Sequence, residues 1–422
     1  MKNKYIAVTI QNYVQFYSIK NALDILIKDG VNVDFYVPFA KDDWGLKEMF
    51  DEIYDFLKKS GYNVRRNPIK RKYKILLEPY PMEYYFSFNY EYRIKYNYGL
   101  TSPKPSLTYR DVDNFCYDAI LSYSTYEAEE LRTYTKTYVV GKPNYYNFEK
   151  KINKSSKKTL LYLPTYGESN SINDIADELF KLKDKYTIIA KLHHGTNYFN
   201  YESQKRDKLN DLFSECYDSK YPLENLLSRA DVVLSDNSGS IFDAIYANVP
   251  VAIFSKSIEY FKYEDLEPYQ YTLIQYGIIP YTNSPDKLSN IIEEALSKNV
   301  NNKQSQLHKK LFNLSYNDGL KEFIRILNLY LNDEVNMDAI KLHRIFYRKY
   351  SSLIKEYENN KQEILNLNEK IANQEKIIND LKEKKLKLDE VLYEYKNGKL
   401  YKISSKIYSV ASKIRKRDNN EN

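Results

Sequence analysis

The sequence predicts an α/β protein with two parallel-sheet domains, followed by a long C-terminal coiled-coil helix. Two observations predict the domains: apolar runs alternate with helical stretches, and the polar segment EKKINKSSKK at 149–158 divides them into two sets. The runs are apolar at consecutive positions, as expected for parallel strands covered on both faces. A third observation, a heptad pattern that begins at Tyr350, predicts the coiled coil.

The apolar runs locate the individual strands. The first set has candidate strands at 5–10, 31–38, 74–80, 117–123 and 137–143, and the second set has them at 159–165, 186–193, 231–236 and 249–254. Helical stretches fall between them, for example at 173–182 and 223–229. Repeated strand–helix–strand order indicates two Rossmann-like domains, which we expect over 1–150 and 151–336.

A single long helix is expected over 337–397, because the chain has no proline or glycine from Tyr350 until Gly398. Its apolar a and d positions are Tyr350, Leu353, Tyr357, Ile364, Leu367, Ile371, Ile378, Leu381, Leu388, Leu392 and Tyr395. Polar Asn360, Gln374 and Lys385 interrupt the pattern and favour one register. We therefore expect a homo-oligomer formed through this coiled coil. The alternative, a helix packed on its own domain, would usually show a wider apolar stripe.

The last segment, 398–422, is a basic amphipathic tail. The formal net charge is +7, and residues 398–417 contain seven basic and no acidic residues, so the rest of the chain is neutral overall. Nucleic acid is not an expected partner, because a nucleic-acid protein usually spreads its basic charge over a folded domain. Apolar residues recur at helical spacing in the tail, which predicts docking on an anionic membrane surface. A solvated tail or a partner-binding helix is the alternative.

Other features of the sequence concern its location. Cys116 and Cys216 are the two cysteines, which disfavours a disulfide framework and fits a reducing compartment. No apolar run approaches the length of a membrane span, and MKNKYIAVTI has no signal-peptide core. We expect a cytoplasmic protein that is peripheral at the inner face of the plasma membrane.

Three polar clusters follow strands of the second set. Thr165 follows the first strand, Lys191 and His193 end the second, and the loop SDNSGS at 235–240 follows the third. Ligands of parallel α/β sheets bind at the carboxyl ends of strands, so the clusters predict one cleft. A small-residue loop that opens a helix, opposite a lysine and a histidine, is typical of a diphosphate site. His193 is also a candidate proton donor or acceptor. Taken alone, the loop is explained equally well as an N-cap.

Several other site types are not expected. The chain lacks a GxxxxGK[ST] phosphate loop. His193 and His194 are predicted to point to opposite faces of a strand, so no metal site and no cofactor are expected. Asp-Val-Asp at 111–113 is similar to the metal-binding acid pair of some glycosyltransferases, but it follows no apolar run and is interpreted as a surface turn.

The order of these clusters resembles the CDP-glycerol glycerophosphotransferase family, the teichoic acid polymerases and primases, and more loosely nucleotide-sugar transferases of GT-B architecture. The resemblance covers about residues 90–330. Its motifs are LPT at 163–165, KLHH at 191–194, SDNSGSIFD at 235–243, VPVAIF at 249–254, Phe312 with Asp318-Gly319, and YVVGKPNYYNF at 138–148.

The resemblance implies a GT-B-like transferase that moves a glycosyl or alditol-phosphate unit to a cell-surface polymer, such as teichoic acid or capsular polysaccharide. A CDP- or UDP-linked donor would lie in the second domain, and a lipid-linked or polymer acceptor against the first. The residues implied for the donor are Thr165, Lys191, His193, Ser235, Asp236, Asn237, Ser238, Gly239 and Ser240. His193 would bind or protonate the leaving phosphate.

The chain departs from the family pattern at a proposed catalytic histidine. The family carries Trp-His-Gly in its first domain, where this chain has Asn97-Tyr98-Gly99, so Tyr98 becomes the candidate catalytic residue on the acceptor side. The missing histidine also favours an alternative, a non-catalytic coiled-coil scaffold that has kept an inherited fold. A third hypothesis is an enzyme similar to UDP-N-acetylglucosamine 2-epimerases, which share the SD.SG loop and the architecture.

Overall fold

A computed structural model of the chain describes residues 4–40, 45–83, 85–99, 112–153, 155–213, 215–261 and 269–418. The chain divides into two compact units, Met1–Arg344 and Ile345–Asn422. The described part of the first unit contains two parallel sheets with helices between their strands. The predicted α/β class is therefore confirmed.

The first sheet has seven strands in the order β3-β2-β1-β4-β5-β6-β7. They are β1 (Tyr5–Thr9), β2 (Asn32–Tyr36), β3 (Val64–Arg65), β4 (Lys72–Glu78), β5 (Asn89–Tyr96), β6 (Ala119–Ser122) and β7 (Thr137–Val139). Its helices are α1 (Tyr13–Lys28), α2 (Leu46–Lys59) and α3 (Thr125–Leu131). All neighbouring strands are parallel, and the order contains the 3-2-1-4 arrangement typical of a Rossmann-like sheet.

Helix α1 shows how the sequence builds this layer. The Asn12 side chain accepts a hydrogen bond from the backbone N–H of Gln15 at 3.0 Å, which caps the helix. Phe16, Ile19 and Leu23 then recur on one face and are buried against the sheet core. The first turn of the helix also contributes Val14, which is exposed and lines the cleft described below.

Strand β5 was not predicted from the sequence. Its sequence, NYEYRIKY, combines tyrosines with charged residues, and two of those charges are buried. Arg93 pairs with the Glu78 carboxylate, and Lys95 Nζ donates to Asn114 Oδ1 at 2.7 Å. A buried charge is tolerated when it is paired and hydrogen-bonded. Because of these polar residues, the sequence does not indicate that the segment is a strand in the interior of the sheet.

The second sheet has six parallel strands in the order β10-β9-β8-β11-β12-β13. They are β8 (Lys158–Leu163), β9 (Tyr186–Lys191), β10 (Glu215–Tyr217), β11 (Val232–Ser235), β12 (Val251–Phe254) and β13 (Tyr281–Thr282). Its helices are α4 (Ile172–Leu182), α5 (His194–Tyr198), α6 (Ser203–Leu212), α7 (Leu223–Leu227), α8 (Ser240–Tyr246), α9 (Tyr269–Gln275), α10 (Leu288–Leu296) and α11 (Lys298–Leu311).

The next helix, α12 (Tyr316–Leu331), packs on the first domain, although the expected domain boundary at 336 places it in the second. Its apolar residues Phe323, Ile326 and Leu327 are buried in the core cluster of the first sheet. Gly319 permits this crossing, because a Cβ there would lie 2.9 Å from the carbonyl oxygen of Val140. The chain therefore returns to the first domain before residue 336, and the second domain ends earlier than the sequence pattern indicated.

Two helices complete the chain, α13 (Met337–Asn397) and α14 (Lys399–Asp418). Large apolar side chains at the heptad positions of α13 are exposed: Leu353 is 64% exposed and Leu392 is 52% exposed. Pairing of α13 as a coiled coil stays a prediction, since a single chain does not test it. Among the described residues, no helix combines the length and the apolar character needed to cross a bilayer.

Candidate functional site

A cleft lies at the carboxyl ends of β8, β9 and β11, between the second sheet and the first domain. From the second domain it is lined by Thr165, Lys191, His193, Asn237, Ser238, Gly239 and Ser240. The first domain contributes Val14, Tyr17 and Ser18 of α1, and Tyr98 after β5. The structure therefore brings the three polar clusters and the acceptor-side candidate to one cleft.

His193 lies just beyond the end of β9, where it caps the short helix α5. Its Nδ1 accepts a hydrogen bond from the backbone N–H of Gly195 at 3.0 Å. Its ring stacks on Tyr166, with centroids 4.7 Å apart and planes 18° apart. A Cβ on Gly195 would approach the Tyr166 ring to 2.6 Å, so glycine makes this stack possible. The imidazole is thus held in one orientation at the cleft wall.

The expectation that His193 and His194 point to opposite faces of a strand is wrong. Strand β9 ends at Lys191, so neither histidine lies in a strand: His193 caps α5 and His194 begins it. Their ring centroids are 4.0 Å apart, and both residues line the cleft. The turn into α5 is what places the two imidazoles side by side.

Lys191 supplies a buried cation at the last position of β9. It is 8% exposed, and its Nζ donates to the carbonyl oxygen of Asp218 at 3.2 Å. Burial lowers the pKa of Lys191 to about 8, while the charge of Asp218 opposes the shift. The ammonium form therefore still prevails at neutral pH, and an anion bound beside it would stabilise that form further.

Ser235 and Asp236, which open the predicted donor loop, are fully buried behind the cleft wall. The Asp236 carboxylate accepts from the backbone N–H of Thr165 at 2.7 Å, and from the N–H and hydroxyl of Ser171 at 3.1 Å each. Ser235 Oγ donates to the carbonyl oxygen of Leu163 at 2.8 Å. Burial raises the pKa of Asp236 to about 7, against the effect of those hydrogen bonds. The two residues fix the β8 loop to the β11 loop.

The second half of the loop forms the cleft surface. Helix α8 begins at Ser240, and Gly239 occupies its N-cap position with φ −62° and without a side-chain cap. The Ser238 hydroxyl oxygen accepts from the Ser240 hydroxyl at 2.9 Å and lies 3.3 Å from the Ser240 backbone nitrogen. The residues from Asn237 to Ser240 thus line the cleft and also begin α8. A loop that served only as an N-cap would not need to line a cleft.

Four further cleft residues were not found from the sequence: Lys142, Asn144, Glu224 and Asp243. The Lys142 ammonium pairs with the Asp243 carboxylate and lies 4.8 Å from the centre of the Tyr123 ring. Asn144 Nδ2 donates to Glu224 Oε2 at 3.1 Å. Lys142 and Asn144 lie in YVVGKPNYYNF, and Asp243 ends SDNSGSIFD. The resemblance marked these two segments but gave none of the four residues a role.

Tyr98 lines the cleft and is half-buried. Burial raises the pKa of its hydroxyl above the usual value of a tyrosine, and a hydrogen bond with Gln15 only partly opposes this. A hydroxyl with a raised pKa stays protonated at neutral pH, so Tyr98 can donate a hydrogen bond but is poorly suited to accept a proton.

Among the described residues, no group of three or more His, Cys, Asp or Glu side chains is arranged to hold a metal ion. The interpretation of Asp-Val-Asp at 111–113 as a surface turn lies outside the side chains that the structure describes.

One part of the chain is similar in sequence to a described protein family. Residues 142–329 match the family described as CDP-Glycerol:Poly(glycerophosphate) glycerophosphotransferase. No curated protein matches the chain.

Solved structures with the same fold include the wall teichoic acid polymerase TagF. A form of TagF soaked with CDPG is 15% identical, with a TM-score of 0.53 and coverage of 79% of this chain and 90% of that chain. A second TagF structure has the same score and coverage at 12% identity. A putative UDP-N-acetylglucosamine 2-epimerase from Listeria monocytogenes is 12% identical, with a TM-score of 0.49 and coverage of 80% and 98%.

The family match and the TagF structures confirm the resemblance that the motifs indicated. The TagF structures share the two-domain fold, and the family match begins at the cleft residue Lys142 and ends within α12. The chain therefore has a GT-B-like fold, and over residues 142–329 it is similar to the CDP-glycerol glycerophosphotransferase family.

Proposed function

We propose that the protein transfers a glycosyl or alditol-phosphate unit from a CDP- or UDP-linked donor to a cell-surface polymer such as teichoic acid or capsular polysaccharide. The observation that carries this proposal is the convergence of Lys191, His193 and Asn237–Ser240 on one cleft. A cation, an imidazole and a loop of small hydroxyl residues form surroundings that suit a diphosphate.

The proposed reaction assigns one role to each side of the cleft. The acceptor hydroxyl oxygen bonds to the transferred unit and releases its proton to solvent, and the bond from that unit to the nucleotide breaks. The nucleotide leaves as a diphosphate if a glycosyl unit moves, and as a monophosphate if an alditol phosphate moves. Lys191 would neutralise the leaving phosphate, and His193 would bind it or donate a proton to it. Tyr98 would donate a hydrogen bond on the acceptor side.

Nucleotide binding is the direct test of this proposal. In a thermal-shift panel of CDP, UDP, GDP and CMP, we expect at least one nucleotide to stabilise the protein, by roughly 2.7 kcal/mol at about 100 times its dissociation constant. Replacing Gly239 by Val should weaken that binding, since the side chain would enter the cleft at a position where φ is −62° and any residue fits the backbone.

Gly239→Ala is the matched control, because it adds a smaller group at the same backbone position. We expect its affinity to fall between those of the wild type and the valine variant, with melting temperatures close to the wild type for both. A panel without any shift would refute a nucleotide donor. Unchanged nucleotide affinity in the valine variant would show that the loop serves only as a helix cap.

We also propose that α13 forms a homo-oligomer and that α14 docks on an anionic membrane at the inner face of the plasma membrane. The apolar a and d positions of α13 support the first proposal. For α14, Leu400, Ile403 and Ile407 are exposed at helical spacing, and the basic residues of the tail have no acidic neighbours before Asp418. Membrane docking would suit a transferase with a lipid-linked acceptor.

Two truncations separate these proposals. Ending the chain at Asn397 should keep the assembly seen by sedimentation but lose salt-sensitive binding to liposomes that contain anionic lipid. Ending it at Lys349 should lose both, while Ile340 and Arg344, which pack within the first unit, are kept. Equal assembly of the Lys349 form and the full chain would refute the coiled coil. Liposome binding that ignores loss of α14, or ignores salt, would refute membrane docking by this helix.

A further inference from the structure

The floor of the cleft, beside α7 and α8, differs chemically from the side that we propose binds phosphate, at Lys191 and His193. It is formed by Asn144, Tyr145, Glu224 and Asp243, together with the ammonium group of Lys142. Two carboxylates accompany a single cation here, and that cation is already paired with Asp243. This part of the cleft is therefore rich in hydrogen-bond acceptors and repels a phosphate group.

Two polar atoms of this floor have no hydrogen-bond partner in the described structure: the hydroxyl oxygen of Tyr145 and Oδ1 of Asn144. Tyr145 is 1% exposed. An unpaired buried polar group is costly, so each one calls for an explanation, and a partner that binds in the cleft is one explanation. Burial raises the pKa of the Tyr145 hydroxyl, and the charges of Asp243 and Glu224 raise it further.

The contacts around these atoms limit what could satisfy them. The side-chain amide nitrogen of Asn144 already donates to Glu224 Oε2 at 3.1 Å. The remaining polar atom of this side chain is its oxygen, which can only accept a hydrogen bond. Carboxylate oxygens also only accept when ionised. A ligand that fits must donate several hydrogen bonds without carrying a negative charge, and neighbouring hydroxyl groups of an alditol or a sugar do this.

We propose that Asn144, Tyr145 and Glu224 form a subsite for the vicinal hydroxyl groups of the donor, which belong either to the transferred alditol or sugar or to the ribose. The subsite deepens the proposed function and rests on it, because the same cleft must hold a nucleotide-linked donor. It divides the cleft into a phosphate side at Lys191 and His193 and a hydroxyl side at Glu224.

The test compares bare nucleotides with their hydroxyl-bearing adducts in two matched pairs, CDP with CDP-glycerol and UDP with UDP-glucose. Dissociation constants are measured for the full-length wild type, Tyr145→Phe and Glu224→Gln. We expect each variant to bind the adduct about tenfold more weakly than the wild type does, with the affinity for the bare nucleotide unchanged. That result identifies the transferred unit as the occupant.

A second pattern would identify the ribose. In this pattern, the variants bind the bare nucleotide and its adduct more weakly by the same factor. The 2′,3′-dideoxy form of the same diphosphate should then bind the wild type and the variants with equal affinity. That result would support the hydroxyl subsite with ribose as its occupant. Wild-type affinity of both variants for both members of a binding pair would overturn the subsite. If neither pair binds the wild type, the proposed donor class itself is wrong and the subsite falls with it.

Stability measurements distinguish the subsite from a structural role. Tyr145→Phe removes a hydroxyl that has no hydrogen-bond partner among the described residues, so we expect no loss of melting temperature. Tyr316→Phe is the matched control: its hydroxyl donates to the carbonyl oxygen of Tyr246 at 2.8 Å, and Tyr316 does not line the cleft. That control should lose stability and keep its affinity for every ligand. Loss of stability with unchanged affinity in Tyr145→Phe would assign the hydroxyl to packing instead.

Discussion

Replacing His193 by Asn should slow transfer by about 100- to 10,000-fold and leave the fold stable. The loss is the size expected when a group that binds a leaving phosphate or moves a proton is removed. Stability should hold because His193 caps α5 through Nδ1, and an asparagine side chain can accept the same hydrogen bond from the Gly195 N–H. Transfer rates from the donor found in the nucleotide panel, with melting temperatures, are the measurement.

His193→Ala is the companion variant. It should lose activity to the same extent, and it should also lose about 1 kcal/mol in the free energy of unfolding, because the α5 cap is gone. A wild-type rate in the asparagine variant would remove His193 from the chemistry. Marked loss of stability in the asparagine variant would instead show that the stack on Tyr166 is the main role of the imidazole.

The parts of the fold that the sequence predicts well are those in which apolar residues are consecutive. Val232, Val233 and Leu234 are all buried in β11, and the three polar clusters follow strands that such runs mark. Because carboxyl ends of parallel strands meet at one edge of a sheet, three separate clusters predict a single cleft. That reasoning needs no knowledge of side-chain contacts.

The remaining features depend on contacts between segments that are distant in sequence. Arg93 is buried in a strand only because Glu78 of the neighbouring strand is there to pair with it. Likewise, α12 has an ordinary amphipathic pattern, and nothing in that pattern says which of two sheets its apolar face will cover. The acceptor-rich floor formed by Asn144 and Glu224 comes from two segments about eighty residues apart, and it could not be predicted from either segment alone.

Asp236 illustrates the same limit within the predicted site, because it was expected to contact the donor. Replacing Asp236 by Ala should lower the free energy of unfolding by about 3 kcal/mol or more, since the N–H of Thr165 and the N–H and hydroxyl of Ser171 lose a buried acceptor. Thr165 lines the cleft, so nucleotide affinity should fall as well. Urea unfolding and nucleotide titration of the same variant provide both values.

Two further variants make this prediction specific. Asp177→Ala, at an exposed position of α4, should stay within about 0.5 kcal/mol of the wild type, which controls for loss of a carboxylate in general. Asp236→Asn keeps one accepting oxygen but turns an amide N–H₂ toward a backbone donor, so its stability should lie between those of the wild type and the alanine variant. A stable Asp236→Ala protein without nucleotide affinity would contradict the structural role and place the carboxylate against the donor. A destabilised variant that regains affinity at low temperature would show that Asp236 acts by holding the Thr165 loop in position.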